Sequence, residues 1–181
     1  MHSIKYPIGT FQRTDPFTFK QIGRWIEEIK ELPSKLEKAV VPLDDEQLDT
    51  PYRSGGWSVK EVVHHIADSH MNGYVRIKWA LTEKEPTIKT YNQEDWAELA
   101  DYQGPVELSL ALIDSLHARW GILLGQLGEE AFNRTFIHPE NGVMKIGHLV
   151  QLYAWHGNHH LAHITTLLEK NDWASSTKKI G

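Results

Sequence analysis

Residues 58–77 read SVKEVVHHIADSHMNGYVRI, and their pattern decides the fold. Ser58 and Glu61 have the spacing of a capping box, in which the serine hydroxyl and the glutamate carboxylate each take up a free backbone N–H. Val59, Val62, Ile66, Gly73 and Ile77 then recur at helical spacing, so the stretch predicts a long amphipathic helix with one apolar stripe. His65 falls at the edge of that stripe, where a side chain reaches the interior of a bundle without being sealed in hydrocarbon.

Working outward, three more long helical patterns flank this one. Upstream, after an extended lead containing Tyr6-Pro7-Ile8-Gly9, a helix is expected over residues 18–41 with Ile22, Trp25, Ile26 and Ile29 on one face. Pro33 should break or kink it, because proline removes a backbone donor and clashes with the preceding turn. Downstream, Gly104-Pro105 opens a helix that carries Leu108, Leu112, Leu116, Trp120, Leu123 and Leu127 before Gly128. The last helix spans residues 145–169 and turns Leu149, Leu152, Tyr153, His156, His160, His163 or Ile164, and Leu167 inward. No good N-cap stands near Lys145. The connection 83–103 holds a short amphipathic segment, Gln93 to Leu99, and the connection 132–146 holds a turn signal, Pro139-Glu140-Asn141-Gly142, between β-like arms. Long ordered connections in compact domains are often functional, so both are placed over the site. The reading is all-α: a four-helix bundle with long connecting loops, a single domain over residues 1–181 without internal repeats.

Composition narrows the function. A chain of 181 residues buries a normal core without staples, and the absence of cysteine removes disulfides, thiolate zinc sites and a cysteine nucleophile. It fits a reducing cytoplasm, and any metal must be held by nitrogen and oxygen. The amino end lacks the basic and apolar regions of a signal peptide, and no apolar run approaches a membrane span, so a cytoplasmic protein with no membrane partner is expected. The net charge is −5 with lysine and arginine scattered, which leaves no electrostatic footprint for nucleic acid.

The chemistry is concentrated in histidines. Residues 155–163, WHGNHHLAH, place four of them within eight residues of the last helix. At i and i+4, His156 and His160 lie on one face and can turn a nitrogen each toward one cation at roughly 2.0–2.1 Å. Polar groups on an inward face are costly unless paired or coordinating, although a histidine pair taken alone is as often structural as ligating. The cluster VHHIADSH at residues 63–70 is the obvious donor of a third ligand, with His65 placed to face the other two. Three imidazoles leave coordination positions open, the mark of a catalytic rather than a closed structural site. By helical spacing His64 falls on the solvent side and His70 packs in or beside the core, while His2, His117, His138 and His148 carry no partner pattern. Asp68 either orients a ligand or is a solvated carboxylate; Trp57 and Trp155 adjoin the motifs and are candidates for the pocket wall.

At three strings the chain closely resembles the YfiT group of the DinB-like superfamily: LDTPYR at 48–53, GGWSVKEVVHHIADSHMN at 55–72, and WHGNHHLAHI at 155–164. The resemblance implies an up-down-down-up type bundle, often a homodimer, with one divalent metal ion per chain, zinc or nickel, held by His65, His156 and His160. Where many relatives have glutamine, this chain has His163, as the YfiT group does, either just outside coordination distance or acting as a proton carrier. His163 is therefore the candidate catalytic base, with Asp68 and Glu98 weaker candidates. The function implied is a metal-dependent hydrolase of a small-molecule substrate, in which the metal activates water. Two alternatives stand beside it: a metal-dependent S-transferase of a low-molecular-weight thiol such as bacillithiol, with the thiol borrowed as cosubstrate, and a noncatalytic metal-binding stress protein.

Overall fold

A computed structural model describes residues 4–173. Four long helices carry it: α1 (Phe19–Val40), α3 (Val59–Thr82), α5 (Val106–Gly125) and α6 (Ile146–Lys170). The short helices α2 (Asp45–Leu48) and α4 (Gln93–Ala97), two 3-10 turns, and a hairpin of β1 (Thr135–His138) and β2 (Gly142–Lys145) fill the connections. Helices α1 and α3 each pack against both α5 and α6, which closes the bundle. Among the described residues no helix is long and apolar enough to cross a membrane.

Local chemistry sets the helix starts. Thr18 with Gln21, and Ser58 with Glu61, form reciprocal capping boxes at α1 and α3. At α6 the cap missing from the sequence is supplied from inside the helix, where His148 Nδ1 accepts the Lys145 N–H at 3.3 Å. The predicted turn at 139–142 is realised, with His138 opposite Gly142 and Thr135 opposite Lys145 in antiparallel register. Gly142 there adopts φ +68°, a conformation natural to glycine.

Two expectations are corrected. Helix α1 runs unbroken through Pro33 to Val40. Proline leaves the carbonyl four residues back without its N–H partner, and here that carbonyl, Ile29 O, is taken at 2.6 Å by His117 Nδ1 from α5. On α5 itself, Leu108 and Leu112 are exposed, and the buried residues are Val106, Ile113, Leu116, His117, Trp120 and Leu124. The apolar run on α5 is broad enough to support either face by spacing, and contact with α1 and α3 selects the one actually buried.

The core is split by the histidines. One apolar cluster gathers Ile22, Ile29, Ile77, Trp120, Phe136 and Tyr153; the other gathers Leu32, Leu36, Val62, Ile66, Ile113 and Ile164. Along every long helix the switch between them falls beside a buried histidine or, on α1, beside the carbonyl to which one donates. Two glycines let the backbones close at this level. A Cβ on Gly73 would lie 2.4 Å from Tyr153 Cζ, and one on Gly157 would lie 2.5 Å from Leu32 Cδ2.

Candidate metal centre

His65 from α3 and His156 and His160 from α6 converge, each offering one ligand atom, with those atoms all within 4.8 Å of one another. The Nε2 atoms of His65 and His156 are 3.1 Å apart, which matches the separation of about 3 Å between neighbouring nitrogens bound at roughly 2.1 Å to one ion. Burial pushes all three rings toward the neutral form, His65 down to about 4 and His156 and His160 well below the usual histidine range, with neighbouring histidines adding to the effect. Neutral imidazole is the form that coordinates. His65 Nδ1 is buried without a hydrogen-bond partner, and Trp57 packs over His65 with ring centroids 4.6 Å apart. The donor set, its spacing and its neutrality fit a divalent cation.

Hydrogen bonds decide which nitrogen of each α6 ligand carries a proton. A carbonyl only accepts, so His117 Nδ1–H donates to Ile29 O, and its Nε2, in a neutral ring, keeps the lone pair. That Nε2 lies 2.9 Å from His70 Nδ1, which must then be the donor, leaving His70 Nε2 to accept from His156 Nδ1–H at 3.1 Å. The lone pair of His156 is thereby placed on Nε2, the atom facing His65. His160 is treated the same way: His163 Nε2–H donates to Lys5 O at 3.1 Å, and His163 Nδ1 faces His160 Nδ1 at 3.4 Å. His160 Nδ1 thus carries the proton and its Nε2 the lone pair. Partners of this kind orient metal-ligating histidines and raise their basicity.

Other sequence expectations shift. His64 is buried, not on the solvent side: its ring nitrogens lie 2.7 Å from Ser109 Oγ and 3.2 Å from Gly104 O, because the segment before α5 folds over that face of α3. His70 and His117 are links in the relay. His138 caps its own turn by accepting from the Glu140 and Asn141 N–H groups, and His148 caps α6. His2 lies outside the described residues. Asp68 accepts from Tyr102 O–H at 2.9 Å, and burial raises its carboxyl pKa. Glu98 is exposed. Trp57 does line the site, while Trp155 packs against Phe11 and His159.

His156 also lines a cleft of about 230 Å³ between α3, α6, the 83–103 connection and the hairpin tip, whose other lining residues include Ser69, Arg76, Tyr91, His138 and Tyr153. Both long connections therefore border the site. A larger cleft of about 390 Å³, between α1 and the end of α6, touches none of the histidines.

The relay makes stability depend on pH. His117, 1% exposed, is held down to about 4, chiefly by burial, against the raising effect of its Ile29 bond. Its unfolded value is near 6.5, so below that pH the unfolded chain takes up the proton first. The stabilising contribution is complete above about pH 6.5 and is lost as pH falls toward 4. For His117 alone the loss is on the order of 3 kcal/mol. Urea unfolding of chelator-treated protein at pH 7 and pH 4.5 should show the drop, and equal midpoints would contradict a neutral buried ring.

A helical bundle whose core is parted by three converging histidines defines the class, a helical domain with a candidate metal centre. The chain belongs to the DinB superfamily, whose model matches residues 28–164. It is 54% identical over 173 residues to a Bacillus cereus (strain B4264) protein named "Putative metal-dependent hydrolase", covering 96% of this chain and 100% of that one. A protein of the same description from Oceanobacillus iheyensis is 54% identical over 169 residues, covering 93% and 98%. Among solved structures, YfiT from Bacillus subtilis, described as a probable metal-dependent hydrolase with an unusual four-helix bundle topology, superposes with a TM-score of 0.91 at 44% identity, covering 94% of this chain and 98% of that one.

Proposed function

We propose that this chain is a cytoplasmic, metal-dependent hydrolase of a small-molecule substrate, with zinc or nickel held by His65, His156 and His160. The observation that carries the reading is the convergence of three neutral imidazoles from two helices beside a cleft. Three protein ligands leave positions open for water and substrate. A divalent cation supplies Lewis acidity and a nucleophile from water near neutral pH. The chain's own residues do the rest: the relay and His163 hold His156 and His160 in their coordinating tautomers, Trp57 covers one side, and the cleft admits substrate from the His156 side. A homodimer is part of the proposal, and the exposed Leu108 and Leu112 on α5 suit burial against a second copy.

For His163 the geometry favours a role narrower than proton transfer. It is buried and stacked on Tyr52 at 4.0 Å, its Nε2–H is committed to Lys5 O, and its lone pair faces His160 Nδ1. We therefore assign it the positioning of His160. His163→Ala should weaken metal binding roughly 10- to 100-fold, read by competition with a chromogenic chelator. Full metal affinity with lost turnover would restore it as a proton carrier.

The decisive experiment is turnover of esters, amides and thiol-reactive electrophiles by the metal-loaded protein, with and without a low-molecular-weight thiol such as bacillithiol, against His65→Ala. Thiol-independent hydrolysis lost in the variant supports the proposal. Metal-dependent conjugation of thiol would make the chain an S-transferase instead, and metal binding without turnover would make it a noncatalytic metal-binding stress protein.

A further inference from the structure

Arg76 is the one group in the cleft beside His156 whose charge is buried without an answering charge. It is 8% exposed, and among the described residues no carboxylate lies within ion-pair distance of its guanidinium. Of its five N–H donors, one reaches Lys89 O at 2.7 Å and another reaches Tyr153 O–H at a long 3.4 Å, while Nε is buried with no partner at all. Glu140 also lines the cleft but is exposed at its rim. A buried, unpaired cation is costly. The Lys89 contact, which ties the 83–103 connection to α3, explains only one edge of the fork.

We propose that Arg76 receives an anionic oxygen group of the substrate, a carboxylate or a phosphate, in the cleft that His156 borders. The planar guanidinium pairs with either group through two parallel N–H bonds, and Arg76, whose Nε–H has no partner within the described residues, lines the cleft. Tyr91 and Tyr153 line the same cleft, and burial pushes the Tyr91 hydroxyl pKa up to about 12, so it stays a neutral donor. Tyr153 spans the two ends of the site: its hydroxyl meets Arg76 and its ring centroid lies 6.0 Å from that of His156. The substrate class is therefore a small molecule with an anionic group at one end and the scissile centre at the other. This deepens the hydrolase reading and rests on it, but its test reads binding alone.

Metal-loaded protein is titrated with succinate and, separately, with inorganic phosphate by calorimetry, and wild type is compared with Arg76→Gln, Arg76→Lys and His65→Ala. The glutamine keeps an amide donor for Lys89 O while removing the charge. Arg76→Gln is expected to weaken binding of at least one anion roughly 10- to 100-fold with metal content unchanged, and Arg76→Lys to recover part of it; which anion responds identifies the group. Equal affinities in wild type and Arg76→Gln, with binding lost only in His65→Ala, would mean that the metal alone holds the anion and would overturn the proposal. Should Arg76→Gln misfold, the Nε–H resonance of Arg76 in wild type, assigned by its absence from Arg76→Lys, decides the matter: it shifts on saturation with the anion or the proposal fails. Absence of hydrolysis would defeat the hydrolase reading and leave these measurements intact.

Discussion

Replacing any one of His65, His156 or His160 with alanine is expected to take divalent metal from about one ion per chain to near zero. The loss should be complete for each single change, because two imidazoles bind a divalent ion far more weakly than three. Elemental analysis after dialysis, with the far-ultraviolet dichroism of each variant as a control for folding, measures it. The bundle should survive the His65 change, since both apolar clusters are formed by other residues. Retention of metal by all three variants would show that the convergence of these rings is a packing arrangement only.

The next largest effect is expected from residues that touch no metal. His117→Leu removes the donor from Ile29 O, which Pro33 has already deprived of its helical partner. An unsatisfied buried carbonyl costs about 1–3 kcal/mol, and His70 loses the acceptor that fixed its proton on Nδ1. The consequence reaches His156 through one more bond. Metal affinity is expected to fall roughly 10- to 100-fold in His117→Leu and in His70→Leu alike. Nitrogen chemical shifts of the His156 ring supply the specific readout: Nδ1 protonated and Nε2 bare in wild type, a mixture in the variants. An unchanged tautomer and affinity in both would mean that His156 is positioned by packing alone.

Much of this was legible in the sequence. The four long helices, the hairpin turn at 139–142 and the short helix at Gln93 follow from caps, periodicity and turn residues, all of which are local. The convergence of His65 with His156 and His160 was legible because the i,i+4 pair advertises itself and the second cluster sits on a stripe edge. The relay was not. His70 and His117 stand 47 residues apart on different helices, and neither has a partner at any helical spacing that a linear pattern reveals. The sequence points to a break or kink at Pro33 for the same reason, since the histidine that satisfies its orphaned carbonyl comes from α5. His64 was placed in solvent because a helical wheel knows nothing of the segment at Gly104 that later covers it. Arg76 gave no signal, as its meaning lies in which partners are missing.

The tie from Lys5 carbonyl to His163 has a consequence for the amino-terminal lead as a whole. That lead is fastened to α6 a second time, by Gln151, which donates to Gln12 O and Thr14 Oγ1 and accepts the Thr14 N–H. The strap thus shares one helix with His156 and His160, two of the three candidate ligands, and what orders the first orients those two. Thermodynamic reciprocity then runs in both directions: whatever steadies the strap tightens the grip on the cation, and the cation, once held, shields the strap from proteases by the same free energy. Peptides trimmed from this end, or tags appended to it, would therefore register first as a change in metal retention, well before any loss of helix.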